Sequence, residues 1–128
     1  MNFTLPYPPS VNRYWRHPTT GKLAGRHLIS EEGRAYRLAV QKAVIVQRVR
    51  ATHGRLAVHI IADVPDRRAR DLDNLPKSVL DGLTHAHVWL DDAVIDDLRI
   101  TRGPVVPGGQ LRVSIEVLAP CKKDILET

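Results

Sequence analysis

The chain is predicted to be one α+β domain, a mixed β-sheet packed against two helices. Three observations lead there. Its 128 residues, 43% of them hydrophobic, are enough for one core and hardly for two. Alternating apolar positions of strand period recur in short stretches, while 3.6-residue periodicity marks two longer ones. The order that results is strand, basic loop, helix, strand, helix, strand, strand, with no internal repeat, low-complexity tract or linker to part it into units.

Asn2 to Leu5 alternates briefly before Pro6, Pro8 and Pro9, which bar a helix and remove ladder donors, so a first strand runs into a rigid loop. From Asn12 to His27 the chain mixes cations, aromatics and glycines and reads as an exposed excursion or hairpin. Ser30 is a good N-cap, Glu31 and Glu32 suit the positive end of a helix, and Tyr36, Val40, Ala43, Val44 and Gln47 recur at helical spacing. A helix is therefore predicted over Glu31 to Arg50, ended by Gly54. Leu56, Val58, Ile60, Ala62 and Val64 then alternate with less apolar positions, giving a strand closed by Pro65.

A second helix is predicted over Asn74 to Thr84, with Leu75, Val79, Leu80 and Leu83 as its apolar stripe. With Asp73 as N-cap, Pro76 falls at the third helical position, where a missing N–H costs no internal bond. Val94 to Arg102 and Gln110 to Leu118 alternate as strands, and the glycines and prolines between them predict an antiparallel hairpin with a longer loop. Residues 119–128 read as a frayed tail.

Charge is unevenly spread. Residues 1 to 55 hold ten Lys/Arg and two Asp/Glu, a balance of +8, whereas residues 56 to 128 hold nine and twelve, a balance of −3. A basic protein with an acidic cluster suits a metal-assisted phosphodiesterase, because carboxylates hold the cation while Lys and Arg hold the phosphate backbone. A solvated acidic loop has the same composition. The single cysteine, Cys121, excludes an intramolecular disulfide and fits a reducing, cytoplasmic setting. No cationic segment is followed by an apolar one at the N-terminus, and no run is long enough to span a bilayer, so no membrane association is expected.

The chemistry concentrates in Pro65-Asp66-Arg67-Arg68-Ala69-Arg70-Asp71-Leu72-Asp73-Asn74-Leu75-Pro76-Lys77, between a strand and a helix. Two carboxylates one residue apart, Asp71 and Asp73, can converge on one ion if the chain between them is extended, and Mg²⁺ takes a few oxygens and leaves its other positions to water and phosphate. Asp91 and Asp92, at the start of the next strand, supply further acids. The alternative is that Asp73 only caps a helix, Asp71 only pairs with Arg67 or Arg70, and Asp91-Asp92 only forms a turn. Lys77 either pairs with Asp73 and Asp81 four residues away on each side or stands beside the scissile phosphate.

Other chemistry finds no support. His85 and His87 lack companion ligands at zinc spacing. A Walker A sequence, a dinucleotide glycine fingerprint and a GxSxG elbow are all missing, so no nucleotide cofactor is expected. Arg13, Arg16, Lys22, Arg26, Arg67, Arg68 and Arg70 are the candidate phosphate contacts, with Tyr14 or Trp15 placed to stack on unpaired bases. A branched-DNA binding module without catalysis and a small assembly subunit are the competing classes.

Three stretches taken together, Leu5-Pro6-Tyr7-Pro8-Pro9-Ser10-Val11-Asn12-Arg13-Tyr14-Trp15-Arg16-His17, the Pro65 to Lys77 segment, and Trp89-Leu90-Asp91-Asp92, resemble the RusA family of Holliday-junction resolvases. The resemblance runs from the first strand to the last. It implies a homodimeric nuclease, often encoded by prophages, that cuts four-way DNA junctions by paired symmetrical nicks leaving 5′-phosphate and 3′-hydroxyl ends. It implies Mg²⁺ as cofactor, with Mn²⁺ as a substitute, held by Asp71, Asp73 and Asp92 with Asp91 as an auxiliary acid and Lys77 as the essential basic residue. Pro76 departs from the polar helix former expected there.

Overall fold

In a computed structural model, residues 1–119 are described; the predicted tail beyond them and Cys121 lie outside the described residues. The chain forms β1 (Asn2–Pro6), α1 (Val11–Tyr14), β2 (Trp15–Arg16), β3 (Leu28–Ile29), α2 (Glu31–Val46), β4 (Arg55–Asp63), α3 (Pro76–His85), β5 (Ile95–Arg102) and β6 (Gln110–Ala119). Single 3₁₀ turns at Leu72–Asn74 and Asp92–Val94 precede α3 and β5. The α+β class, the mixed sheet and the two packed helices are as the periodicity predicts.

The sheet runs β1-β6-β4-β5, with β4 antiparallel to β6 and parallel to β5. The predicted hairpin between the last two strands is therefore not formed, because β4 lies between them. The reason is burial. Leu56, Val58, Ile60 and Ala62 of β4 and Leu111, Val113 and Ile115 of β6 are buried, whereas most of β5 is exposed, so β5 takes the edge. The connecting loop passes the end of β4, where Gly103 N–H donates to Ala62 O at 2.9 Å and Val106 N–H to Val64 O at 2.9 Å.

Helices α2 and α3 cover one face of the sheet, burying Tyr36, Val40 and Val44 from α2 and Val79 and Leu83 from α3 in one cluster with the strand residues. Ser30 caps α2 through its side chain, accepting from Gly33 N–H at 2.9 Å. The helix stops at Val46, short of the predicted Arg50. Arg48 takes φ 56°, its N–H donates to Ile45 O at 3.1 Å, and Val49 N–H donates to Val44 O at 3.0 Å. That is a Schellman ending with arginine in the left-handed position. The end of α3 repeats it with His87 at φ 61° and the buried Val88 bonding back to Leu83 O at 3.1 Å.

The start of α3 also differs from expectation. Pro76 occupies the first helical position, Leu75 is the cap residue, and Asp73 lies in the preceding 3₁₀ turn without capping anything. A first-position proline lacks an N–H that would be unpaired anyway and has its φ preset for the helix, so the helix starts later than predicted.

Candidate active site

The acid loop leaves β4 at an ion pair whose carboxylate is buried and whose guanidinium reaches the surface. Asp63, 2% exposed, accepts from Arg112 Nε at 2.9 Å and Nη2 at 3.0 Å and from Gln110 Nε2 at 2.9 Å. The Arg112 bonds hold its carboxyl below the usual range against the opposing effect of burial. A Cβ at Gly103 would collide with Asp63 Oδ1, so glycine is required where the β5–β6 loop passes. The far side of the loop is tied to β5 by Arg102 Nη2, which donates to Arg70 O at 2.7 Å.

Within the loop one carboxylate takes up the arginines. Asp66 accepts from Arg70 Nη1 at 2.6 Å and Nη2 at 3.0 Å, and from the Arg68 backbone N–H at 2.9 Å. Those bonds, Arg70's foremost, hold its carboxyl far below the ordinary carboxylate range. The alternative pairing of Asp71 with Arg67 or Arg70 is thus not made: Asp71 has no ion pair among the described residues, and neither has Asp73. The stretch between them is not extended, since Leu72–Asn74 form the 3₁₀ turn. Leu72 instead packs against the core while Asp71 and Asp73 stay exposed on either side of it.

Lys77 follows at the second position of α3, exposed and with no ion pair among the described residues. The helix-surface pair with Asp81, one of the two readings of Lys77, is not made, and Asp81 is occupied by other partners. Arg37 donates to it from Nε at 2.7 Å and Nη2 at 3.1 Å, the Tyr14 hydroxyl donates to Oδ2, and His85 Nε2 lies at 3.7 Å. This corrects the expectation for Tyr14. Its ring is fully buried (0% exposed), packed edge-on to Tyr36 at 6.3 Å, and it anchors the N-terminal excursion to α2 and α3, leaving no face open for a base to stack on. Burial and the Asp81 bond raise its hydroxyl pKa.

Arg13, Arg16, Lys22, Arg26 and Arg67 are exposed. Arg68 is exposed and Arg70 half-buried, both turned toward Asp66. A groove of about 650 Å³ runs between the proline loop and the acid loop, lined by Tyr7, Ser10, Arg13, Arg68, Asp71 and Asn74 among others. Tyr7 and Asn74 are given no site role by the sequence. The Arg70 guanidinium sits 6.0 Å over the Tyr7 ring. The Asp63–Arg112 pair was also missed, because sequence spacing does not say which strand neighbours will face each other.

Asp91 and Asp92 lie elsewhere. Asp91 caps the 3₁₀ turn by accepting from Ala93 N–H at 3.1 Å. Asp92 Oδ1 accepts from the Thr84 hydroxyl and from Trp89 Nε1 at 3.1 Å. Thr84 is in the last turn of α3, whereas Asp71 and Asp73 precede its first turn. Pro76 to Thr84 alone spans about 12 Å at 1.5 Å per residue, while oxygens sharing one Mg²⁺ at about 2.1 Å lie within roughly 4 Å of one another. Among the described residues no three His, Cys, Asp or Glu side chains are grouped to hold a metal ion. The donor chemistry itself, exposed carboxylates without thiolate or imidazole, fits a hard divalent cation.

Comparison with known proteins assigns this arrangement to a family. Residues 6–118 match the family described as Endodeoxyribonuclease RusA. The chain is 45% identical over 119 residues to the crossover junction endodeoxyribonuclease RusA of Enterobacteria phage HK97, covering 91% of this chain and 93% of that one. It is 44% identical over 117 residues to the protein of that name from Escherichia coli strain K12, covering 89% and 92%. A third relative, from Enterobacteria phage 82, is 44% identical over 115 residues, covering 89% and 92%. The chain belongs to the RusA endodeoxyribonuclease family.

Proposed function

We propose that the chain is a Mg²⁺-dependent, structure-selective endodeoxyribonuclease that resolves four-way DNA junctions by paired symmetrical nicks. The observation that carries the reading is the placement of Asp71, Asp73 and Lys77 at the start of α3, exposed and unpaired among the described residues, with Asp71 lining a groove that also contains Arg13 and Arg68. Its relatives are named crossover junction endodeoxyribonucleases. Asp71 and Asp73 would hold the cation, which supplies polarisation of the phosphate and an activated water when bound. Arg13, Arg68 and Asn74 orient the strand, and Lys77 stands where it can stabilise charge on the phosphate in the transition state.

Asp92 joins that site from a second copy of the chain. The length of α3 keeps the chain's own Asp92 away from Asp71 and Asp73, so a two-fold dimer in which each copy lends Asp92 to the other's acid loop completes two sites at once. Leu90, 91% exposed and two residues before Asp92, is an apolar side chain suited to such a contact. Two symmetric sites match two equivalent strands of a junction, which yields paired nicks with 5′-phosphate and 3′-hydroxyl ends.

The test is cleavage of a synthetic four-way junction and a matched linear duplex. Junction-selective nicks that need Mg²⁺ and fall by about 10³-fold or more in Asp73→Asn, while junction binding persists, are expected. Binding without cleavage in the unaltered protein would instead favour a branched-DNA binding module.

A further inference from the structure

The N-terminal excursion carries a row of rings that the cleavage site does not use. β2 and β3 pair only at Trp15↔Ile29 and Arg16↔Leu28. Two paired residues per strand hold a ribbon weakly, and past them His17 and His27 approach each other through their rings. Trp15 and His27 lie against each other with centroids 4.5 Å apart and planes tilted by 33°, and His27 and His17 follow at 4.6 Å with a tilt of 45°. A His27 Nδ1 to His17 Nδ1 contact of 3.3 Å fixes the two imidazoles relative to each other. At the inner end Trp15 packs edge-on to the buried Tyr14 at 4.8 Å and 69°.

The row is therefore anchored in the core at one end and open to solvent at the other, where His17 and His27 are exposed. Its surroundings are cationic. Residues 1 to 30 contain Arg13, Arg16, Lys22 and Arg26 and no Asp or Glu, and none of these four makes an ion pair among the described residues. A ring set among cations presents a π-face to a base and charge to the phosphates on either side of it, the combination that binds single-stranded nucleic acid.

We propose that the Trp15–His27–His17 row is a stacking platform for an unpaired nucleobase of the bound DNA, with His17 as the outer face and Arg16 and Arg26 on the flanking phosphates. The proposal rests on the reading of the chain as a branched-DNA nuclease and names the element that engages bases opened at the branch point. A base stacked on His17 extends the row by one ring, and the register of bases follows from the fixed position of Trp15.

The experiment measures binding in EDTA, where no strand is cut, to a four-way junction, a matched duplex and an oligo-dT single strand, with quenching of tryptophan fluorescence as a second readout. His17→Ala is expected to weaken oligo-dT and junction binding about tenfold, leave duplex binding unchanged and reduce the quenching. His17→Phe, which keeps a ring without imidazole nitrogens, is expected to retain the binding of the unaltered protein. Equal losses in both variants would assign His17 a polar contact and overturn the platform, as would no loss in either. Failure of the unaltered protein to prefer the junction over the duplex would count against the nuclease reading, whereas the His17→Ala effect on oligo-dT tests the platform separately.

Discussion

At the scale of single residues, the acid loop keeps opposite charges close without letting all of them cancel. Asp66 engages Arg68 and Arg70, and Asp71 and Asp73 are left exposed. Asp63 does different work: it fastens the start of the loop to β6 through Arg112. Because its carboxyl is held below the usual range in the folded chain, its contribution is complete above the unfolded carboxyl pKa of about 4 and is lost as pH falls through the lower folded value. Asp63→Asn is expected to cost about 1.5–3 kcal/mol near neutral pH. Denaturant midpoints at pH 7 and pH 3 should show the gap between variant and parent narrowing in acid; a constant gap would mean that the charge does not contribute. The acids were legible in the sequence as a cluster. Which of them would be engaged by arginine was not, because the Asp66–Arg70 contact depends on the folding of a loop and not on helical or strand spacing.

At the scale of elements, alternation located the four long strands well, since Leu56 to Ala62 and Leu111 to Ile115 bury every second residue. Helix ends were less legible. Gly54 suggests the end of α2, but α2 and α3 both end in Schellman turns with Arg48 and His87 in the left-handed position, secured by the return of Val49 and Val88 to the core. A non-glycine residue there costs free energy that the turn's hydrogen bonds and the valine's burial offset. His87→Gly is expected to raise stability by about 0.5–1 kcal/mol with little effect on fold; a fall in the thermal midpoint would show that the His87 side chain contributes more than its backbone strain costs. The order of β5 and β6 was misread because adjacency in sequence suggested a hairpin, whereas the centre of the sheet goes to β4, the strand with the more continuous apolar face. Tyr14 was misread for a related reason: an aromatic beside arginines resembles a nucleic-acid contact, and only the fold shows Asp81 waiting beneath it.

At the scale of the whole molecule, the length of α3 separates the acids. The sequence brings Asp71, Asp73 and Asp92 within about twenty residues of each other, yet the helix between them sets them at opposite ends, and sequence separation carries no information about which copy completes a site. In the proposed dimer, Asp73→Asn would spoil the acid loop of its own copy and Asp92→Asn the contribution to the other. Each variant alone leaves both sites defective. A mixed dimer of the two carries one doubly altered site and one intact site. The most direct measurement is thus nicking of a four-way junction in Mg²⁺ by Asp73→Asn, by Asp92→Asn, and by the two mixed after subunit exchange. Sharing of Asp92 between copies predicts that each is inactive alone and that the mixture nicks one strand without resolving the junction. A mixture as inactive as its parts, with exchange of subunits verified, would contradict it and place the complete site within a single chain.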